Sequence, residues 1–391
     1  MLEIKYSDRK TKARTGILHT SHGDALTPFF MPVATKAAPR YLSPHDLKEI
    51  KVQAIIANAL LLSFAPGTDV VKKAGGIHGF MNFNRPIFTD CGGFQILRQS
   101  FFRGTTEDGI KFRSPFDGRN ILMTPEMIIK IQQELSSDAA MCLDYCPPYG
   151  MSKEETEDSM LKTHAWAERC KKAHTKRSQL LFGIAQGGFY RKLRIESMKF
   201  MRDMDFDGIS LGGLFIGEPK RDSYSMIKSV MRYAPEDKPK YIMGLGSPED
   251  IVKSVSMGVD FFDSIFPVEN ARHGTMFTWH GKLKLDSKIY RDDFSPIDSE
   301  CKCFTCTHYS RAYLHHLLKT QEQLGFRLRI YHNIYFMQRL MDKTRYSIED
   351  KTFSKFSKKI ISAYAKKDPE KSTESNVSER ITVIKRKEKQ G

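Results

Sequence analysis

The strongest constraint on this chain is a rhythm. Eight short apolar runs recur along it, at 28–33, 52–58, 86–90, 138–144, 180–186, 207–211, 240–244 and 260–265. They are largely continuous in hydrophobicity, as strands buried on both faces must be. Helix-like stretches separate them, several with an explicit start signal. Ser43-Pro44 with Asp46 has the form of a capping box, and Thr124-Pro125 and Ser247-Pro248 place a capping residue ahead of a proline. Eight strands alternating with helices in ~265 residues predict a (β/α)8 TIM barrel. A doubly wound open sheet is the alternative. No G-x-G-x-x-G or Walker loop speaks for it.

A barrel of this kind works where its strands end. The ends of the eight runs carry Asn58, Asp90, Asp144, Gln186, the Gly212-Gly213 pair, Met243-Gly244 and Asp263. One polar cap at a strand end would be structural. Carboxylates and amides converging on one rim describe a pocket for a hydrogen-bonding ligand. Two carboxylates there can divide labour in glycosyl transfer, one attacking a sugar's anomeric carbon and the other moving the leaving group's proton. The residue types do not say which Asp attacks.

Residues 275–310 break the rhythm with strand-like pieces at 276–279 and 282–285, then cysteines. Cys301, Cys303 and Cys306 form C-x-C-x2-C, and His332 follows 26 residues later at the head of a helical stretch. Three thiolates and one imidazole close a tetrahedron, so the expected Zn2+ is structural, one per chain. His308 is the rival fourth ligand, but two residues after Cys306 it would close the site tightly. In a chain with seven Cys, three of them clustered, this pattern favours metal over disulfides. Helical periodicity returns at 311–324 and 333–341. From Lys366 onward the chain turns to Lys, Glu, Ser and Asp and reads as a basic, disordered tail. The expected organisation is a catalytic barrel over 1–365, with an inserted zinc-binding subdomain at about 275–345, and the tail 366–391.

Charge points to the partner. Lys and Arg number 62 against 46 Asp and Glu, a formal net charge of +16, which favours a polyanion such as nucleic acid. A solvated basic surface is the plainer reading. Met1 to Lys10 are charged, without the apolar run of a signal peptide, and no stretch approaches ~18 apolar residues. A cytoplasmic protein is expected, with no membrane partner.

Taken in order, the motifs resemble those of the tRNA-guanine transglycosylase family. They are Thr89-Asp90-Cys91-Gly92-Gly93-Phe94-Gln95, Leu143-Asp144-Tyr145-Cys146, Gly183-Ile184-Ala185-Gln186-Gly187-Gly188, Gly212-Gly213-Leu214, Met243-Gly244-Leu245-Gly246, Phe262-Asp263, and the zinc set with Tyr331-His332-Asn333. The resemblance runs from Ala13 to about Tyr364 and implies a barrel with a zinc subdomain. It implies that Asp263 is the nucleophile on the ribose and Asp90 the general acid/base. Asp144, Gln186 and the Gly213 backbone would read a guanine-like base, Phe94 and Met243 would hold its faces, and Asn58, Cys146 and Leu214 would complete the pocket. Arg272 would touch the tRNA anticodon loop. The implied reaction exchanges the wobble guanine for 7-aminomethyl-7-deazaguanine through a covalent Asp-ribosyl intermediate, in queuosine biosynthesis. Ile216, where queuine-using members commonly carry a small residue, and Cys146 both favour that small base. Queuine, another nucleic acid such as DNA or an atypical tRNA, and a non-catalytic RNA-binding subunit are the alternatives, and a homodimer is left open. Three departures stand out: Cys91 where the family commonly has Ser, Asn58-Ala59-Leu60-Leu61-Leu62 in place of Asn-Thr-Tyr-His-Leu, and Glu269 where the bacterial pattern has Arg.

Overall fold

The computed structural model describes residues 2–97 and 101–365. Eight parallel strands form the barrel: β1 (Phe29–Pro32), β2 (Ile55–Asn58), β3 (Ile87–Asp90), β4 (Ala139–Met141), β5 (Leu180–Ala185), β6 (Gly208–Leu211), β7 (Lys240–Ile242) and β8 (Phe261–Ser264). Each lies inside a run expected from the sequence. Neighbours in sequence are neighbours in space, and β8 pairs with β1 in the register Phe261↔Phe29 to Ser264↔Pro32. A parallel bridge, Val33↔Ile56, closes the seam between β1 and β2. That closure settles the fold as a (β/α)8 barrel and removes the open sheet.

Side chains alternate between two cores. Phe29, Phe88, Phe182, Tyr241 and Phe261 turn inward with Ile56, Met141 and Ile184, all buried. Their rings pack closely, Phe261 lying 4.7 Å from both Phe29 and Tyr241 between centroids. The alternate residues, such as Phe30, Ile87, Ile242 and Phe262, face the helices. Period two then fixes the site: Asn58 follows Ile56, Asp90 follows Phe88, Gln186 follows Ile184, Met243 follows Tyr241 and Asp263 follows Phe261. The polar ring is therefore the next interior layer above an aromatic floor.

The opposite mouth is plugged. A three-stranded antiparallel sheet, Leu2–Ser7, Arg14–Thr20 and Gly23–Thr27, inserts Leu2, Leu18 and Ala25 into the same inner cluster. A second such sheet, Phe102–Thr106, Gly109–Arg113 and Asn120–Met123, stands between β3 and β4 and was not foreseen. The helix-start signals hold with one exception. Ser43 and Asp46 form the capping box of Pro44–Ile50, and Thr124 accepts from the Met127 amide ahead of Pro125–Leu135. Ser247 precedes Pro248–Val255, but its hydroxyl donates to the Asp250 carboxylate instead of capping a backbone amide.

After β8 come a hairpin, Thr275–Thr278 with Gly281–Lys284, and the helices Phe304–His308, Arg311–Lys319, Gln323–Glu349 and Phe353–Ala365. The long helix Gln323–Glu349 lies against the barrel, where Gln338 Nε2 donates to Phe30 O at 3.1 Å and Arg345 Nη1 to Pro28 O at 2.6 Å. His332 thus sits well inside this helix, not at its head. Gly325, Arg327 and Arg329 interrupt the apolar stripe and hid the first turns. No helix among the described residues is long and apolar enough to cross a membrane. The segment from Lys366, expected as a tail, lies outside the described residues.

Candidate active site

Asn58 and Asp90 are register partners at the ends of β2 and β3. Asn58 Oδ1 accepts the Leu61 amide at 2.8 Å and starts the helix Ala59–Phe64, while its Nδ2 is buried with no partner among the described residues. A buried amide donor left unmatched is costly. Phe94 enters the helix Gly93–Leu97, which follows Asp90, and is 38% exposed.

Asp144 lies three residues beyond β4 and is fully enclosed. Gln186 Nε2 donates to its Oδ2 at 2.6 Å, and the Cys91 thiol to its Oδ1 at 3.6 Å. Burial pushes the Asp144 pKa up to about 6 against these two hydrogen bonds. Burial, then the charges of Asp144 and Asp90, push the Cys91 thiol far up, so it stays protonated and serves as a weak donor. Gln186 Oε1 is buried with no partner among the described residues. The Gly212-Gly213 pair exists because Gln186 lies on it: a Cβ on Gly213, whose φ is +64°, would meet Gln186 Oε1 at 2.9 Å and Cys146 Sγ at 3.2 Å. Base-pocket candidates from four strands thus meet within one cluster.

Asp263 forms the second cluster. Its Oδ1 accepts the Tyr241 hydroxyl, and also the Gly244 amide at 2.8 Å. Burial raises its pKa, opposed by these two donors. Tyr241 was missed in the sequence, being one aromatic among several in an apolar strand. Burial and the Asp263 charge push its phenol well up, with a smaller contribution from the Asp90 charge, so it remains a donor to Asp263. Met243, half-buried, packs on the inner aromatic cluster directly below Gly244.

The loop after β6 is held by one carboxylate. Glu218, buried, accepts the amides of Phe215 and Ile216, the latter at 2.9 Å, and the Ser223 hydroxyl. In a trans peptide C=O and N–H point in opposite directions. With the Phe215 N–H on Glu218, the Leu214 carbonyl faces away from that carboxylate.

Cys301, Cys303, Cys306 and His332 come together as a set able to hold one metal ion. His332 Nδ1 lies 3.7, 3.5 and 3.2 Å from the three sulfurs in that order. Its Nε2 donates to Phe277 O at 2.8 Å, which leaves Nδ1 its lone pair. His308 is not in the cluster; its Nδ1 faces Phe304 O and Thr307 Oγ1. The next residue, Asn333, ties this cluster toward β8, donating to Pro267 O at 3.0 Å and accepting the Phe277 amide at 3.0 Å.

Arg272 ends the short helix Phe266–Arg272 that follows Asp263. Its Nη1 donates to Glu269 Oε1 at 2.7 Å, and Arg40 and His273 approach the same carboxylate at 3.7 and 3.9 Å. The departure at 269 therefore does not leave a bare negative charge beside the mouth; Arg272 and Arg40 stand against it.

A family model described as queuine tRNA-ribosyltransferase matches residues 8–366. Curated relatives carry the same description. One from Caldanaerobacter subterraneus subsp. tengcongensis is 47% identical over 93% of this chain and 98% of its own length. One from Halothermothrix orenii is 44% identical over 93% and 98%, and one from Francisella tularensis subsp. tularensis 43% over 91% and 97%.

Proposed function

The chain belongs to the queuine tRNA-ribosyltransferase family, and on that premise we propose how its residues divide the work of a tRNA-guanine transglycosylase serving queuosine synthesis. The single observation that carries the division is the pair of carboxylate clusters on one rim, one poised for sugar and one for base. Asp263 attacks C1′ of the target ribose. Both of its hydrogen bonds fall on Oδ1, which orients Oδ2 for carbon. As the C1′–O bond forms, the C1′–N9 bond breaks and guanine leaves with a proton from Asp90. In the second half Asp90 takes the N9 proton of the incoming base, N9 bonds to C1′, and the Asp263 carboxylate departs. Asn58 Nδ2, buried and unpartnered among the described residues, is the donor for the ribose side.

The guanine edge offers two N–H donors and one carbonyl oxygen. A carboxylate such as Asp144 suits the donors, and Gln186 and the Gly213 amide suit the rest. Phe94 and Met243 clasp the two faces, with Cys146 packed under Gly213. The target guanine has to leave its stack to enter such an enclosed site. For the incoming base we favour 7-aminomethyl-7-deazaguanine. The Glu218 contacts orient the Leu214 carbonyl away from that carboxylate, suited to accept from an aminomethyl cation.

The metal is read as zinc. Zn–S of about 2.3 Å and Zn–N of about 2.0–2.1 Å give a tetrahedral S···N edge of about 3.6 Å, against 3.2 to 3.7 Å found. When bound, the ion supplies structure and no chemistry. Its protein-side role is to fix the helix that braces Pro267 through Asn333. Arg272 serves the anticodon loop from the short helix Phe266–Arg272, which carries Pro267.

Exchange of radiolabelled guanine into tRNA tests the reading, with duplex DNA as the rival acceptor. Label entering tRNA alone is expected. Label entering DNA would move the substrate, and none entering either would leave a binding subunit.

A further inference from the structure

Arg194 is fully buried and faces no carboxylate in its hydrogen-bonding set. Its guanidinium instead gathers backbone carbonyls: Nε donates to Gly188 O at 2.6 Å, Nη1 to Ala185 O at 3.1 Å and Gly212 O at 2.7 Å, and Nη2 to Gly213 O at 3.0 Å. Burial lowers its pKa only to about 10, so the charge persists at neutral pH. The charge of the buried Glu218 acts on it from beyond hydrogen-bonding reach, and a buried cation whose hydrogen bonds all go to backbone carbonyls is an expensive arrangement for a scaffold to carry. Gly187 makes it reachable. With φ at +121°, a Cβ there would meet Arg194 N at 2.7 Å, and the turn brings Gly188 O onto Nε.

The carbonyls it holds belong to the peptides Gly212–Gly213 and Gly213–Leu214. In a trans peptide, pinning C=O on one side turns N–H to the other. The amides of Gly213 and Leu214 are thereby directed away from Arg194. Gly213 is also where Gln186 and Cys146 converge. A cation on the carbonyl end polarises a peptide and strengthens its N–H as a donor. We propose that Arg194 is the positioning residue for base recognition, aiming and polarising the Gly213 amide for the carbonyl oxygen of a guanine-type base. This rests on the base-pocket reading above. It adds a residue that touches no substrate yet sets selectivity for a base oxygen.

The test compares inhibition of labelled-guanine exchange by 7-deazaguanine and by 2-amino-7-deazapurine, which lacks the oxygen, in wild type, Arg194→Lys and Arg194→Met. Losing one aimed hydrogen bond should raise the 7-deazaguanine inhibition constant about tenfold. The constant for the oxygen-free analogue should stay within about twofold of wild type. Lys, keeping the charge but reaching fewer carbonyls, should lie between wild type and Met. Equal weakening of both bases, or no change for either, would overturn the proposal. So would an Arg194→Lys protein that fails to fold, because the residue would then belong to the scaffold. Absence of exchange in wild type would instead sink the pocket reading itself.

Discussion

At the scale of single residues, Asp144 is the most informative group. Its carboxyl is enclosed and its pKa stands at about 6, raised from the ordinary carboxylate value of 3.8 mainly by burial. A raised carboxylate pKa means that the ionised form is penalised in the folded enzyme. That penalty is complete above the folded pKa and vanishes as pH falls below the unfolded value. Asp144→Asn should therefore stabilise the free enzyme at pH 7.5, by on the order of 3 kcal/mol, with the gain fading toward pH 4. The same variant should bind base poorly. Thermal melts across pH, paired with base-inhibition constants, check both; an equally stable variant would remove burial as the cause. In wild type, base affinity should weaken as pH drops through about 6, because the protonated carboxyl accepts fewer N–H groups. Cys91→Ser replaces a weak 3.6 Å donor to Asp144 with a stronger hydroxyl, so the midpoint of that pH dependence should move down. Ile216→Gly addresses size. If the branched side chain handicaps queuine by ~1–3 kcal/mol, the glycine variant should gain about 5- to 150-fold in kcat/KM for queuine. No gain would show that Ile216 is not the gate.

At the scale of elements, the metal cluster and the active-site rim are one mechanical unit. His332 and Asn333 are adjacent on the helix Gln323–Glu349; one enters the metal set and the other holds Pro267 O at 3.0 Å. Arg329, on the same helix, donates to Ala271 O at 2.9 Å. Cys303→Ser should lose zinc and melting temperature together, and should lower kcat by loosening the segment that follows Asp263. Metal analysis with melting curves decides it, and a stable, metal-free, fully active variant would contradict the assignment. Much of this was legible in the sequence. Eight buried strands must be continuous apolar runs, and C-x-C-x2-C with a distant His has few other uses. What escaped notice had a physical reason. Tyr241 differs from its aromatic neighbours by one hydroxyl, whose partner is set only when β7 and β8 pair. The sheet between β3 and β4 has strands of four and five residues with little alternation. Arg194 did leave a trace, since with Ser197, Met198 and Met201 it lies on the buried stripe of Arg191–Asp203. A cation on an apolar stripe has to serve something inside.

At the scale of the whole molecule, the surplus of positive charge, +16, should govern tRNA binding. Affinity should fall linearly in log-log form with salt. Glu269 tempers this locally by holding Arg272 at 2.7 Å and Arg40 at 3.7 Å. Glu269→Gln should release both cations, tighten binding and steepen the slope, whereas Arg272→Ala should weaken binding and flatten it by about one. Salt titrations of the three proteins on one tRNA separate these outcomes, and identical slopes would mean that the cluster stands away from the phosphates.

The proposed base exchange runs through Asp263 and the ribose. The most direct measurement denatures the enzyme during turnover with tRNA and a slow incoming base, then looks for RNA still attached to protein. Wild type should yield an adduct whose cross-linked peptide contains Asp263, and Asp263→Asn should yield none and no exchange. Normal exchange by Asp263→Asn, or an adduct mapped to Asp90, would contradict the account.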